Sequence, residues 1–306
     1  RFNAASARYG GDFSAWRRDQ VTNFVRKVYA NAIAVKPNIK ITADCYGGSP
    51  APADLAAFPG TQAYSKFFQN FPAWLQEGIL DMGMTMTYFD CAGDYAGLFN
   101  PWVCFMSNYH YNRQSAVLPG VYSPSCLYDQ LTAARNLPCG HPDGAGVYSY
   151  HLLDPDDMTV VRQVWNTSAP IPTMTWKASP TKGHVKGNVT FAGSVWIDGA
   201  YVRLQGPGVD RSMYADGTGF YAFIDVTPGD YTITCSANGY GNIVHTCHVT
   251  AGAVTSVDCD YPISSLIISN VQANESQTSA IVTWTTNAGA SSKVYYGLDR
   301  TCSSST

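Results

Sequence analysis

The chain has 306 residues, 45% of them apolar and 13% charged, with a formal net charge of −3 and an isoelectric point near 6.0. That balance supports large buried cores and excludes global disorder. It leaves no basic footprint for nucleic acid or an anionic membrane, and no apolar run approaches the ~20 residues of a membrane span.

The first 176 residues alternate helices and strands. Asp12 or Ser14 caps a helix whose apolar positions Val21, Phe24, Val25, Val28, Tyr29 and Ala32 fall on one face of a 3.6-residue period. Pro37 stops it, and Ile39 to Cys45 form a strand. A helix near 62–76 ends at Gly78 and leads into a strand at 80–89. A helix near 95–109 precedes a strand at 115–122, and one near 125–136 precedes a strand at 145–152. A last helix spans about 156–165. Short helix-to-strand turns of this kind predict four parallel strands in sequence order. Repeated helix–strand units are the ground plan of a (β/α)8 TIM barrel, and four strands are half of one.

The segment 169–184, with three prolines and two lysines, reads as an ordered linker. Beyond it the helical period vanishes. Strands are expected near 184–191, 200–205, 211–215, 219–226, 230–236, 243–249 and 254–261, with turns such as 215–219 and 227–230, which is the pattern of a β-sandwich. From Leu266 three more strands are expected (266–272, 279–286, 292–297), fewer than a sandwich needs. The expected domains are 1–172, a linker at 173–183, a sandwich at 184–262, and the start of a further sandwich at 263–306.

Nine cysteines include no CxxC pair and no Cys/His cluster at zinc spacing. Their odd number leaves at least one thiol unpaired within the chain. Cys235 and Cys247 flank Gly241 symmetrically and could face each other across a hairpin, as a disulfide or as buried free thiols. Cys126 and Cys139 bracket one helix at a separation of about 18 Å, too far to bond to each other. His245 and His248 stand on opposite faces of a predicted strand, a poor metal pair. Neither a metal nor a cofactor is expected.

The stretches WRRDQVTNFVRKVYANAIAVKPNIKITAD and AWLQEGILDMGMTMTYFD, with Gly120 and Ser149–Tyr150, resemble the glycosyl-hydrolase-like 10 family of bacterial cell-envelope proteins. The resemblance covers residues 1–170 and implies the last four strands (5–8) of that family's (β/α)8 barrel. Thr85 stands where the family pattern usually has proline before Met-x-Tyr. Residues 184–262 look like a carboxypeptidase-regulatory-like, transthyretin-type sandwich. The stretch from Leu266 looks like the start of a fibronectin type III-like module. Both imply accessory roles. The chain opens at Arg1 without an initiator Met or signal peptide, as expected of a segment that begins inside an enzyme fold.

Barrel enzymes carry their working groups at the C-terminal ends of the strands. Those ends offer Asp44 with Tyr46, Tyr88 with Asp90, Tyr122, and Tyr150 with His151 and Asp154. Glycoside hydrolysis needs two carboxyl groups beside the scissile bond. Asp44 and Asp90 stand at matched depth on neighbouring strands, and either could instead partner an acid on strand 4. Tyr88, Tyr122, Tyr150, His151 and Trp102 are the expected substrate-binding groups. The implied protein is a secreted or cell-envelope glycoside hydrolase acting on a polysaccharide or on peptidoglycan glycan strands. The alternative is a non-catalytic carbohydrate-binding or adhesive surface protein. The sandwich is expected to fold independently and to carry no catalytic site. The partner is a glycan, with no nucleic acid and no membrane span.

Overall fold

The computed structural model describes residues 1–48, 50–262, 268–276 and 278–286, together with 292, 294–296 and 304–305. After a short helix α1 (Phe2–Ala5), helix α2 (Phe13–Val35) starts at Asp12, whose carboxylate accepts from the Ser14 and Ala15 amides at 2.7 and 3.0 Å. That satisfies donors the helix itself leaves open. The expected apolar stripe is only half used. Tyr29 is buried with Val21 and Val25 packed beside it, but Phe24 is 67% exposed and Val28 also faces outward. Buried Ala30 and Ile33 rotate the true core face away from that stripe.

Strand β1 (Thr42–Tyr46) follows. The single helix expected at 62–76 is two, α3 (Gln62–Ser65) and α4 (Phe71–Glu77). Pro72 forbids a continuous helix, because its ring would meet the carbonyl four residues back, at Phe68. Phe68 adopts φ 58° and turns the chain instead. After β2 (Met82–Thr87), the helix expected from 95 begins at Phe99, since Gly97 takes φ 80°. The order continues α5 (Phe99–Asn108), β3 (Gln114–Pro119), α6 (Pro124–Asn136), β4 (Gly144–Ala145) and α7 (Pro155–Val164).

The four strands pair in parallel in the order β1-β2-β3-β4, as the helix–strand alternation predicts. Alternate side chains point to opposite faces. Gly83, Thr85 and Thr87 are buried on the helix side, while Met82, Met84 and Met86 are half-buried on the other. The fourth strand is shorter than expected. It pairs only at Gly144–Ala145 and again at the Gly120–Tyr148 bridge, after which Tyr150–Leu152 turns in a 3-10 coil.

The linker holds a one-turn helix, α8 (Thr175–Ala178), and is bound into the protein through Asp81. Asp81 is fully buried just before β2. It accepts from Tyr29 Oη (3.1 Å), Ile41 N (2.8 Å), Trp176 Nε1 (2.8 Å) and Lys177 Nζ. A buried carboxylate persists only with such complete pairing. Arg113, also buried, pairs with Asp225 and lies over the Trp176 ring at 4.7 Å.

The sandwich has one sheet of β11 (Gly241–Val249), β10 (Gly229–Ala237), β7 (Tyr201–Gly206) and β8 (Val209–Tyr214). The other joins β5 (Gly183–Phe191) to β6 (Val195–Trp196), β9 (Phe220–Val226), β12 (Val254–Ser256) and β13 (Cys259–Tyr261). Strand β9 is buried on both faces. Phe220, Ala222 and Ile224 join the core of the helical region, and Tyr221 and Phe223 that of the sandwich. The sandwich is therefore packed on α2 rather than standing apart.

The hairpin between β10 and β11 turns about Gly239, not Gly241. Cys235 consequently pairs with Ile243 in register and bonds to Cys259, so the expected Cys235–Cys247 facing pair does not form. Among the described residues Cys91–Cys126 and Cys104–Cys139 are the other disulfides, and Cys126 and Cys139 do not bond to each other. Cys45 and Cys247 are free. Beyond the sandwich, β14 (Ile268–Glu275) and β15 (Ala280–Thr286) form an antiparallel pair. The third strand expected there, at 292–297, lies partly outside the described residues.

Candidate functional site

A cleft of about 540 Å³ opens beyond the C-terminal ends of β1 and β2, lined by residues that include Tyr46, Gly47, Gly48, Gln62, Met86, Tyr88, Asp90, Tyr95 and Tyr122. Its floor depends on close backbone approach. A Cβ on Gly47 would stand 2.7 Å from the Met86 carbonyl oxygen, and the Gly48 carbonyl accepts from Trp102 Nε1 at 2.7 Å. Tyr46 leaves β1 with its amide donating to Gln69 Oε1 at 2.7 Å and its ring 4.4 Å from that of Phe67.

Tyr88 follows β2 and stacks on Tyr148, with ring centroids 4.3 Å apart and planes inclined by 21°. Burial raises its phenol pKa, with Asp44 and Tyr148 adding to the shift. Tyr122 folds back across the strand ends, where Gly120 makes room for it, since a Cβ there would meet the ring at 2.7 Å. Its hydroxyl donates to the Tyr88 carbonyl at 2.8 Å. Burial raises this phenol as well, followed by the charge of Asp90 and the neighbouring Tyr95. Both phenols therefore stay protonated near neutrality and can donate hydrogen bonds. Asp90 is half-buried, and its Oδ1 accepts from the Ala92 amide at 3.3 Å.

The two expected carboxylates are not level. Asp44 lies within β1 opposite Met84, whereas Asp90 lies beyond the end of β2, past the Tyr46–Met86 pair. The predicted strands 39–45 and 80–89 put each acid within one residue of a strand's C-terminal end, at matched depth; the register separates them. Asp44 is exposed on the sheet face away from the helices, close enough to bias Tyr88.

Trp102 is a correction. Its side chain is 0% exposed, so it cannot stack on a sugar, and its role is to hold Gly48 beneath the cleft. Tyr150 and His151 lie outside the cleft lining as well. With the strand ending early, they sit in the following 3-10 turn, Tyr150 at 87% exposure and His151 with Nδ1 2.7 Å from Ser149 Oγ. Asp154 caps α7, accepting from the Asp156 and Asp157 amides. Sequence reasoning missed Tyr148, Gln62 and Tyr95. A strand ended at Tyr148, in step with Gly120, points to the first. The other two lie on α3 and on a 3-10 turn (Gly93–Tyr95), which no strand-end rule reaches.

Among the described residues, no group of three or more His, Cys, Asp or Glu is placed to hold a metal ion, and no helix is long and apolar enough to cross a membrane. The cleft lining contains a carboxyl group, several phenols and an amide, and no cationic side chain. Such a surface suits a neutral polyhydroxyl ligand, held by ring stacking and hydrogen bonds.

Residues 3–125 match the family model described as Glycosyl hydrolase-like 10, and residues 184–261 match that of the Carboxypeptidase regulatory-like domain. No curated protein matches the chain. Among solved structures, the Bacillus anthracis TIE protein is similar at 14% identity and a TM-score of 0.25, covering 27% of this chain and 16% of its own. A putative carbohydrate binding protein from Bacteroides uniformis is 12% identical with a TM-score of 0.23, over 34% of this chain and 53% of its own. One from Pseudomonas aeruginosa is 14% identical with a TM-score of 0.21, over 30% of this chain and 99% of its own. The chain spans well under two thirds of the first structures it resembles.

Proposed function

We propose that residues 1–172 are the strand 5–8 half of a (β/α)8 barrel of glycoside-hydrolase type, and that the cleft binds a neutral glycan of the cell exterior. The carrying observation is a cleft lined by Tyr88, Tyr95 and Tyr122 with Asp90 and by no cationic side chain, the Tyr88 ring being held by its stack on Tyr148 outside the lining. Aromatic faces grip sugar rings, and a carboxyl group beside them supplies the acid–base or nucleophilic partner that glycosidic cleavage requires. An acid from the barrel's other strands completes the pair, because Asp44 and Asp90 lie at different levels. The open outer strands β1 and β4 and the half-buried Met82, Met84 and Met86 face support a barrel continued on both sides.

The three disulfides among the described residues fit folding in an oxidising compartment, extracellular or in the cell envelope. The sandwich serves as an accessory module, and a fibronectin type III-like module begins with β14 and β15. The second reading is glycan binding without turnover, favoured by the use of Asp90 Oδ1 in its own turn.

Soluble polymers of glucose and of N-acetylglucosamine, assayed for binding and for released reducing ends, test the proposal. Tyr88→Ala is expected to weaken binding about 10-fold or more by removing the stacking face. Binding with no released ends selects the second reading, and no binding to any neutral glycan overturns both.

A further inference from the structure

We infer that Tyr122, Gln130 and the Cys91–Cys126 disulfide act together as a three-point tether that positions the segment 88–91, and with it Asp90. They are positioning residues, and their functional meaning rests on the glycan reading above. Strand β2 ends at Thr87, so the next residues have left the ladder that would fix their backbone. Tyr122 Oη donates to the Tyr88 carbonyl at 2.8 Å. Gln130 Nε2 donates to the Phe89 carbonyl at 2.6 Å. Cys91 is bonded to Cys126 in the first turn of α6. Three of four consecutive residues are thus fastened to β3's exit and to α6.

Gln130 shows that one of these ties has a job beyond packing. It is 4% exposed beside the fully buried Leu127 and Leu131, and its Oε1 has no hydrogen-bond partner among the described residues. A leucine would fill such a position without burying an unpaired acceptor, which is unfavourable. The amide's gain is its hold on Phe89. Cys126 lies one turn before Gln130, so both ties issue from the same face of α6.

Hydrogen exchange of the whole chain, read by mass spectrometry, tests the tether in the wild type, Gln130→Met and the Cys91→Ser/Cys126→Ser double variant. Segment 88–97 is expected to exchange ~10-fold faster in both variants while β1, α6 and the sandwich keep their protection. Gln130→Glu adds a readout that simple packing would not move. A buried carboxyl donates to the Phe89 carbonyl only when protonated, so protection should be low near neutrality and return as the pH falls. Affinity for the β-1,4-linked hexamers of glucose and N-acetylglucosamine should fall and recover in parallel. If the cysteine variant does not fold, the two Gln130 variants, which keep all disulfides, decide the matter. Equal exchange at 88–97 in wild type and Gln130→Met, or a pH-independent Gln130→Glu, overturns the tether. If the wild type binds neither hexamer, these two glycans are excluded as ligands, and the exchange data alone decide the tether.

Discussion

The two ends of the parallel sheet use the same kinds of side chain in opposite ways. At the N-terminal end, Lys177, Arg113 and Trp176 are interlocked around Asp225 and the fully buried Asp81, and they knit the linker and the sandwich to the helix–strand region. At the C-terminal end, Tyr88, Asp90, Tyr95 and Tyr122 line an open cleft. In open parallel α/β sheets ligands bind in the crevice outside the carboxyl ends of the strands, which is the end where this cleft lies. The contrast is visible along one strand: Asp81 just before β2 has every oxygen bonded, and Asp90 just past it borders the cleft.

The largest expected effect is at the closed end. Lys177→Met leaves the Asp81 carboxylate buried without its cation and should destabilise the fold by ~3–5 kcal/mol. Denaturant titration checks this; a loss within ~0.5 kcal/mol would mean that Asp81 has no need of its linker partner. A smaller effect is expected beneath the cleft. Trp102→Phe keeps most of the packing but removes the donor to the Gly48 carbonyl, at a cost of ~1–3 kcal/mol. Loss of glycan affinity well beyond that of stability would show that Gly48 is held for the ligand.

The smallest effect is a pH dependence confined to the closed end. Burial lowers the pKa of His184 below its ordinary 6.5, with Asp225 opposing the shift and Arg113 and Lys177 adding to it. The unfolded chain therefore takes up this proton first. His184's contribution to stability is complete above pH 6.5 and is lost as the pH falls below that through the folded value. A His184→Gln variant should show a shallower loss of stability over this acid window in thermal melts, and an unchanged slope would remove His184 from the account.

The parallel strand order was legible because amphipathic helices alternate with apolar strands and short turns allow few other topologies. The sandwich strands were legible from their alternation and turn residues. The closed end was not, because Asp81 and Lys177 are 96 positions apart in sequence and nothing local marks them as partners. Trp102 was misassigned because burial of a lone aromatic depends on neighbours that only the fold supplies. Tyr148 was passed over for Tyr150 because the strand was extended beyond its true pairing. The cysteine pairing failed on a hairpin turn misplaced by two residues, which moves each partner by four.

The most direct test compares Asp81→Asn with Asp90→Asn, the same change of carboxyl to amide at the two ends of β2. Unfolding free energy and affinity for the glucose and N-acetylglucosamine hexamers are measured on both proteins. The account predicts that Asp81→Asn loses ~3–5 kcal/mol of stability while its folded fraction keeps the wild-type affinity. It predicts that Asp90→Asn keeps its stability within ~0.5 kcal/mol and loses affinity, turnover or both. Equal destabilisation by the two changes, or an Asp90→Asn protein that handles glycan as the wild type does, would contradict it.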